Sequence, residues 1–447
     1  KRYLYMKNIN RFLLFGLSVL GMTSIDAQEK RSLTLDEAVH LAWDKSNEVG
    51  LANAKVISKK YELQSIKNNQ YPDFKISGQY QRLANASINL KANQNNGSGA
   101  LPVVDQLMIG QLNASLPIFA GFKIQNSIKI HENLYQAETA TASHTKEEVA
   151  MKVINWYASL YKAQKTIALL KENQKRAEQR AYDFGELEKN EVIARNDLLK
   201  AQLQVSKIKL SIDEATNNEN IINFNLITLL KLPEGTKLEI RESDFANFKM
   251  DNIPTDVQPA LENRKDLQAI QFQEKASLAN IKMAKGGYYP AISLVGGYVA
   301  LDLKNVVTVQ NAMNFGLGLS YDLSAIFKND ALVKLAESKA QETQNSEAML
   351  TDYIKIEVQK AIEDYNLALQ QNEVYGQAVA QSSENYRIIK DKYDNGLSDT
   401  NDLLEADVEQ LSANINKTLA KANIIQKYYE LLNVTGQLST TFTISKL

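Results

Sequence analysis

Two acidic residues three positions apart, Asp402 and Glu405, begin a long helical pattern near the C-terminus. Residues with this spacing share a face of an α-helix. The pair suits two kinds of chemistry. It can complement the positive end of the helix dipole, beside a capping Ser398 or Thr400. Repeated around a narrow opening, it can instead form acidic rings that attract cations.

Other residue types that carry chemistry give no enzymatic site. The three histidines, His40, His131 and His144, are too scattered for a metal cluster, which favours positions on solvated helix faces. The chain has no cysteine, so thiolate ligands and a cysteine nucleophile are excluded. It also has no phosphate-binding loop or nucleophile elbow. We expect no catalysis, metal or cofactor, and the 51 basic against 52 acidic residues give no reason to expect nucleic acid.

The N-terminal segment has the order of a secretory signal. Four basic residues within positions 1–11 precede the apolar run FLLFGLSVLGM at 12–22, and a polar stretch ends at Ala27. This pattern predicts a signal peptide at residues 1–27. A membrane anchor is the alternative, but the run is only about half of the roughly 20 residues that a spanning helix needs. An exported chain is then soluble, or crosses a membrane only as a barrel.

The sequence contains an internal repeat. Tyr71-Pro72 recurs as Tyr289-Pro290, 218 residues later, and the Asn-Asp-Leu-Leu that begins at Asn196 recurs 205 residues later. The first copy therefore carries additional residues, which we assign to a Gly/Asn-rich loop at 91–104. We predict a first structural repeat at 28–231, an inter-repeat segment at 232–260, a second repeat at 261–435 and a C-terminal tail at 436–447.

Long heptad patterns follow in both copies. Apolar residues alternate spacings of four and three from Val149 to Phe184, and the same ladder recurs from Ile354 to Ile389. A returning ladder runs through Leu404, Val408 and later positions. This 3.5-residue period predicts left-handed coiled-coil packing. The rising helices, at about 123–187 and 328–393, would each be about 95 to 100 Å long, which suits a protein that reaches across a wide aqueous space.

Alternating apolar and polar residues predict four strands. The apolar positions, which we expect to face lipid, are Phe74, Ile76, Tyr80, Leu112, Leu116, Ile292, Leu294, Phe315, Leu317 and Leu319. The first strand's alternation continues to Leu90. A half-buried sheet in a soluble domain is the alternative. Strands of about ten residues or more, with tyrosines near their ends, favour outer-membrane strands.

Four strands cannot close a membrane barrel within one chain. The smallest barrels have about eight strands, and an open sheet edge is strongly unfavourable in lipid. Several chains must therefore share one barrel. Two chains would give eight strands around an interior filled with side chains, whereas three would give twelve, which can enclose a lumen.

Three stretches resemble the TolC-like outer-membrane efflux protein family. SLTLDEAVHLAWDKSNEV at 32–49 is similar to its opening helix, LPIFAGFK at 116–123 to its strand-to-helix turn, and YDNGLSDTNDLLEA at 393–406 to its periplasmic tip. The resemblance covers nearly the whole mature chain, in the right order and in duplicate.

The resemblance implies a mainly α fold with a β-barrel portion. Long antiparallel helices would form a periplasmic α-barrel, and four strands per chain would build a twelve-stranded outer-membrane barrel in a homotrimer. Implied partners are outer-membrane lipid, a periplasmic adaptor (membrane fusion) protein and an inner-membrane pump of the RND or ABC type. The expected function is a passive exit duct of tripartite efflux or type I secretion in a Gram-negative bacterium. A soluble periplasmic coiled-coil scaffold or adaptor is the alternative, and it would need no apolar strand faces.

The resemblance also implies roles for particular residues. The family's entrance acids match Asp197, Asp402 and Glu405, while its latch arginine falls at Ser398, so we expect no salt-bridged closed gate of that kind. The predicted helix-to-barrel junctions are Tyr71, Pro72, Pro117, Tyr289 and Pro290. The predicted adaptor-docking tips are Asn190, Glu191 and Val192 in the first copy and Asn395, Gly396 and Leu397 in the second. A turn that contacts no partner is the alternative for the tips.

Overall fold

A computed structural model describes residues 30–84, 104–242 and 253–444, together with Phe245, Phe248 and Met250. The predicted signal peptide at 1–27 lies outside the described residues. So do the predicted loop up to residue 103 and the predicted extension of the first strand to Leu90.

The two copies contribute the same succession of hairpins. The elements of the first part are β1 (Lys30–Leu33), α1 (Leu35–Lys45), α2 (Asn47–Asn68), β2 (Asp73–Arg82), β3 (Gln106–Ala120), α3 (Lys123–Lys189) and α4 (Arg195–Leu229). Those of the second part are β4 (Lys237–Ile240), α5 (Gln258–Asn263), α6 (Lys265–Lys285), β5 (Ala291–Leu303), β6 (Val307–Ser320), α7 (Ala325–Asp394), α8 (Thr400–Val434) and α9 (Leu438–Ile444).

The elements are arranged as one layer that is four elements wide throughout. The antiparallel sheet has the order β2-β3-β5-β6. Towards one end of the long helices the packing order is α2-α3-α6-α7, and towards the other end it is α4-α3-α8-α7. The same sides are thus open along the part of the molecule that the structure describes. We call β2, α2 and α4 the first margin, and β6 and α7 the second margin.

The long helices form as their heptads predict. α3 has 67 residues and α7 has 70, which corresponds to about 100 Å each. Ladder residues such as Val153 and Leu160 in α3, and Val358 and Tyr365 in α7, are buried between neighbouring helices. No helix among the described residues has both the length and the apolar composition needed to cross a membrane.

The ladder predicted for the returning helix α8 is wrong near its start. Val408 is 43% exposed, whereas Ala406, Ala413 and Ala420, seven residues apart, are buried. Small side chains allow helix backbones to approach closely, so α8 turns this alanine stripe inward. Further along, the prediction is confirmed: Ile425, Tyr429 and Leu432 are buried.

A belt of mixed structure surrounds the middle of the helices. β1 and β4 pair in parallel, and α9 packs beside α1, α3 and α8. The apolar core there includes Leu33, Leu238, Leu438 and Phe442. The buried Tyr157 of α3 donates its hydroxyl to the Leu33 carbonyl at 2.9 Å. The belt therefore ties β1 and α9, the first and last described elements, to the long helices.

Candidate functional site

One face of the sheet is a continuous apolar surface that contains all ten residues predicted to face lipid. Ile76 lies opposite Leu112, and Leu294 lies opposite Leu317. Residues that oppose each other across antiparallel strands share a face, and every second residue along a strand returns to it. Phe315, in the middle of β6, is 94% exposed. Exposure of this many large apolar side chains is typical of a surface that meets an apolar partner.

The opposite face carries a polar row across all four strands. Lys75, Asn113, Gly297 and Asn314 are successive partners in the pairing. At Gly297 an added Cβ would lie 2.7 Å from the Leu112 carbonyl oxygen, so the strands approach closely only because this residue is glycine. Ile109 and Leu301 pair on this face as well, so the sheet has one apolar face and one that combines polar with apolar residues.

The Tyr-Pro steps lie where helix gives way to strand. Pro72 directly precedes β2, and Pro290 directly precedes β5. In the second step a 3-10 turn at Gly286–Tyr288 ends α6, and Tyr289 is already extended. Proline cannot continue a hydrogen-bonded ladder, and it makes the preceding residue extended, which explains both positions.

The predicted junction at Pro117 needs correction. Pro117 lies within β3, where the register with β5 shifts between Pro117 and Phe119, and the strand continues to Ala120. An irregularity of this kind tolerates a residue without an N–H. The chain instead turns from strand to helix at Gly121 and Phe122, whose φ angles are 63° and 62°.

The two tips have nearly the same backbone conformation. Glu191 and Gly396 have φ angles of 59° and 72°. The next residues, Val192 and Leu397, donate their N–H groups to carbonyls five residues earlier, at 2.9 and 2.8 Å. This hydrogen bond closes a helix C-terminus with a left-handed residue, which glycine adopts freely and which costs a glutamate on the order of 1 kcal/mol. The first tip is therefore strained where the second is not.

Each tip presents one apolar side chain and one asparagine. Val192 and Leu397 are 67% and 77% exposed. The side-chain amides of Asn190 and Asn395 donate to carbonyls four residues earlier, at 2.7 and 2.8 Å, and so fix the last helical turn. The duplicated chain thus presents two similar exposed apolar side chains, each on a hydrogen-bonded turn.

The predicted entrance acids lie within the first two turns of α4 and α8. Asp402 and Glu405 are exposed, and Asp197 is half-buried, with a carboxylate oxygen 3.5 Å from the Lys200 ammonium. Within one chain α4 packs mainly on α3, and α8 packs mainly on α7, and the chain supplies a single copy of each acid. An acidic ring from these residues therefore requires several chains.

The cap of α8 differs from the sequence prediction. Asp399, rather than Ser398 or Thr400, accepts the N–H groups of Asn401 and Asp402, at 2.8 and 3.0 Å. Ser398 instead donates its hydroxyl to the Asp402 carboxylate at 2.7 Å. Asp399 thus provides the cap, and Asp402 lies in the first turn of α8, where its carboxylate complements the helix dipole.

A buried polar network that the sequence reasoning missed lies just behind these acids. Asp407 is 1% exposed, and it accepts hydrogen bonds from Arg180 at 3.2 Å and from Asn173 at 3.3 Å. Arg180 also donates to the Tyr386 hydroxyl at 3.2 Å. One arginine thus links α3, α7 and α8. The only sequence signal was an Asp beside the alanine stripe, which a ladder through Val408 places on the solvated face.

The histidines stay apart from one another. His131 lies 3.4 Å from the Glu62 carboxylate on the helix surface. His40 contacts Trp43 edge-on at 5.4 Å, and its Nε2 is buried without a hydrogen-bond partner. The predicted solvated position is therefore wrong for His40, because the belt covers α1. Within the described ranges, no group of three acidic or histidine side chains could hold a metal ion.

Comparison with protein families supports the resemblance seen in the sequence. Residues 257–437, essentially the second copy, match the family described as outer membrane efflux protein. The predicted resemblance is confirmed. A search of curated proteins found no match.

Solved structures show the same fold over nearly the whole chain. The Campylobacter jejuni CmeC outer membrane channel is 18% identical with a TM-score of 0.76, covering 92% of this chain and 88% of CmeC. The Vibrio cholerae outer membrane protein VceC is 14% identical with a TM-score of 0.75, covering 90% and 96%. The open state of the Neisseria gonorrhoeae MtrE channel is 18% identical with a TM-score of 0.74, covering 91% and 89%. The predicted architecture of long helices and a few antiparallel strands is confirmed.

Proposed function

We propose that this chain, which resembles the outer membrane efflux proteins in its second half and their solved channels in its fold, is one of three identical subunits of an outer-membrane export duct. The observation that carries the proposal is the open, four-element-wide layer, whose two margins have no partner within the described part of the chain. Such a layer is a sector of a closed wall.

Both margins expose apolar side chains at heptad spacing. Met349, Tyr353 and Ile356 of α7 are each more than 60% exposed, as is expected of residues awaiting a partner helix. On the first margin, Leu203 and Leu210 of α4 are more than half exposed. The two margins belong to different elements, so contact between copies is head-to-tail, and such contacts generate rings when the rotation closes. The same contact pairs the free edges of β2 and β6.

Three copies account for both faces of the sheet. Twelve strands enclose a lumen, and an open sheet edge in lipid is removed by closure. The apolar face of the sheet then meets outer-membrane lipid, and the row from Lys75 to Asn314 lines the lumen. The helices continue the wall as a twelve-helix tunnel into the periplasm. The signal peptide and the two-repeat division at 28–231 and 261–435 belong to the same proposal.

The duct conducts passively. The sequence offers no nucleotide-binding loop, so energy comes from an inner-membrane pump of the RND or ABC type, reached through a periplasmic adaptor. The adaptor docks on the exposed apolar side chains of Val192 and Leu397. These residues lie on the hydrogen-bonded turns at the far end of the helices. Cargo is whatever the pump delivers.

The first test is the mass and location of the processed protein. Extraction of cell envelopes in mild detergent, followed by native mass spectrometry, should give a trimer from the outer-membrane fraction. A soluble monomer or dimer would show that the strands never meet lipid, and the scaffold interpretation would replace the duct.

The entrance acids have a separate test. In the trimer, three copies of Asp402 and Glu405 present six exposed carboxylates around the entrance, which attract cations and bind multivalent ones. The variant Asp402→Ala with Glu405→Ala should lower cation selectivity and weaken block by multivalent cations in planar bilayers. Glu409→Ala, one turn further along α8 and also exposed, is the matched control. If the double variant kept the wild-type cation selectivity and block, these acids would not line the conduction path.

A further inference from the structure

The C-terminal helix α9 is anchored in the belt by two apolar side chains. Leu438 and Phe442 are fully buried. The Phe442 ring stacks on Tyr429 of α8, with centroids 5.6 Å apart, and meets Trp43 of α1 edge-on at 6.2 Å. A helix of seven residues has few internal hydrogen bonds, so its stability depends on this docking.

A buried carboxyl group lies at the same docking surface. Glu147 of α3 is 3% exposed, and the Ser439 hydroxyl of α9 donates to its Oε1 at 2.9 Å. Next to it, Trp43 donates its indole N–H to the Lys146 carbonyl at 2.8 Å. Glu147 is therefore covered by α9 rather than by solvent.

The charges around Glu147 do not compensate for its burial. His144 on α3 and Lys265 on α6 lower the pKa of Glu147, and Asp266 on α6 raises it. Asp266 is itself paired with Arg264 through hydrogen bonds of 2.6 and 3.0 Å. Burial raises the pKa of Glu147 above its ordinary value of 4.5, against the smaller opposing effects of Ser439, His144 and Lys265.

We propose that α9 is a pH-sensitive clasp of the belt, held firmly when Glu147 is neutral and loosened when Glu147 is ionised. A raised folded-state pKa stabilises the docked state fully below the ordinary pKa of glutamate, and this stabilisation is lost as the pH rises through the raised pKa. Each unit of difference between the docked and undocked pKa changes the docking equilibrium by about tenfold. Acidification therefore tightens the clasp, and a rise in pH through the raised pKa of Glu147 loosens α9.

The experiment is amide hydrogen exchange of the full-length protein in detergent between pH 5 and pH 8, expressed as protection factors so that intrinsic exchange is removed. In the wild type, protection of α9 amides should fall as the pH rises, while protection of the α8 amides near Tyr429 stays level. Glu147→Gln keeps the acceptor for Ser439 but cannot ionise, so its α9 should stay protected at pH 8. Ser439→Ala should lower α9 protection at both pH values and extend its fall to higher pH, because the Ser439 hydroxyl opposes the raised pKa of Glu147.

Glu178→Gln is the matched control, since Glu178 lies on the same helix but is exposed and far from α9. It should keep the wild-type pH dependence. The clasp is refuted if Glu147→Gln retains the wild-type loss of protection, or if α8 and α9 lose protection together. Neither result would argue against the proposed export function, because every contact between α9 and the belt lies within one chain.

Discussion

Phe315→Asp should prevent assembly of the trimer in the outer membrane. Phe315 is 94% exposed at the centre of β6, on the face where Ile76 and Leu317 are also exposed. In lipid this position loses the burial of a large apolar side chain and gains a carboxylate, together about 3 kcal/mol or more per chain. The trimer incurs that cost three times. Envelope fractionation with native mass spectrometry should therefore find no trimer.

The neighbouring residue supplies the matched control. Asn314 lies one position away on the same strand but on the polar face, opposite Gly297. Asn314→Asp introduces the same carboxylate, yet it should leave assembly near wild type, because that face would meet water in the proposed lumen. If both variants assembled as well as the wild type, the apolar face would not contact lipid, and the soluble scaffold would then explain the strands.

The sequence predicted the elements whose periodicity is enforced by burial. β6 alternates because one face needs apolar partners and the other water, and α3 follows its heptad because each ladder residue is buried between helices. The two-copy order of strands and helices followed from the same patterns. These features depend on local spacing, which a single sequence displays directly.

Features that depend on tertiary contacts were not predictable in this way. Val408 continues a good apolar ladder, but α8 is set by the small residues beside Asp407, and only the position of α3 shows which stripe is inside. Glu191 adopts a left-handed conformation because the tip needs that turn, although nothing in its own type favours it. At Pro117 the missing N–H is accommodated by a shift in register, and this depends on the partner strand β5.

The buried Arg180–Asp407 pair should be the most sensitive polar contact of the helical region. Asp407 is 1% exposed and the Arg180 side chain 11%, so either charge without the other is left in a poorly solvated interface. Removing one partner of such a pair typically costs 3 to 5 kcal/mol, whereas replacing both with apolar residues costs far less. We expect Asp407→Leu or Arg180→Met to speed exchange of amides at the start of α8 by roughly 150-fold, equivalent to about 3 kcal/mol.

The double variant Arg180→Met with Asp407→Leu tests whether the single variants lose stability because a buried charge is left unpaired or only because the packing changes. It should restore much of the protection lost in either single variant, since no unpaired charge remains. Arg176, one turn earlier on α3, pairs with Glu172 at 2.8 Å on the exposed surface. Arg176→Met should therefore change exchange by less than about threefold. If the double variant exchanged as fast as the two single variants combined, the pair would contribute through packing alone, and α8 with its acids would be positioned by the alanine stripe.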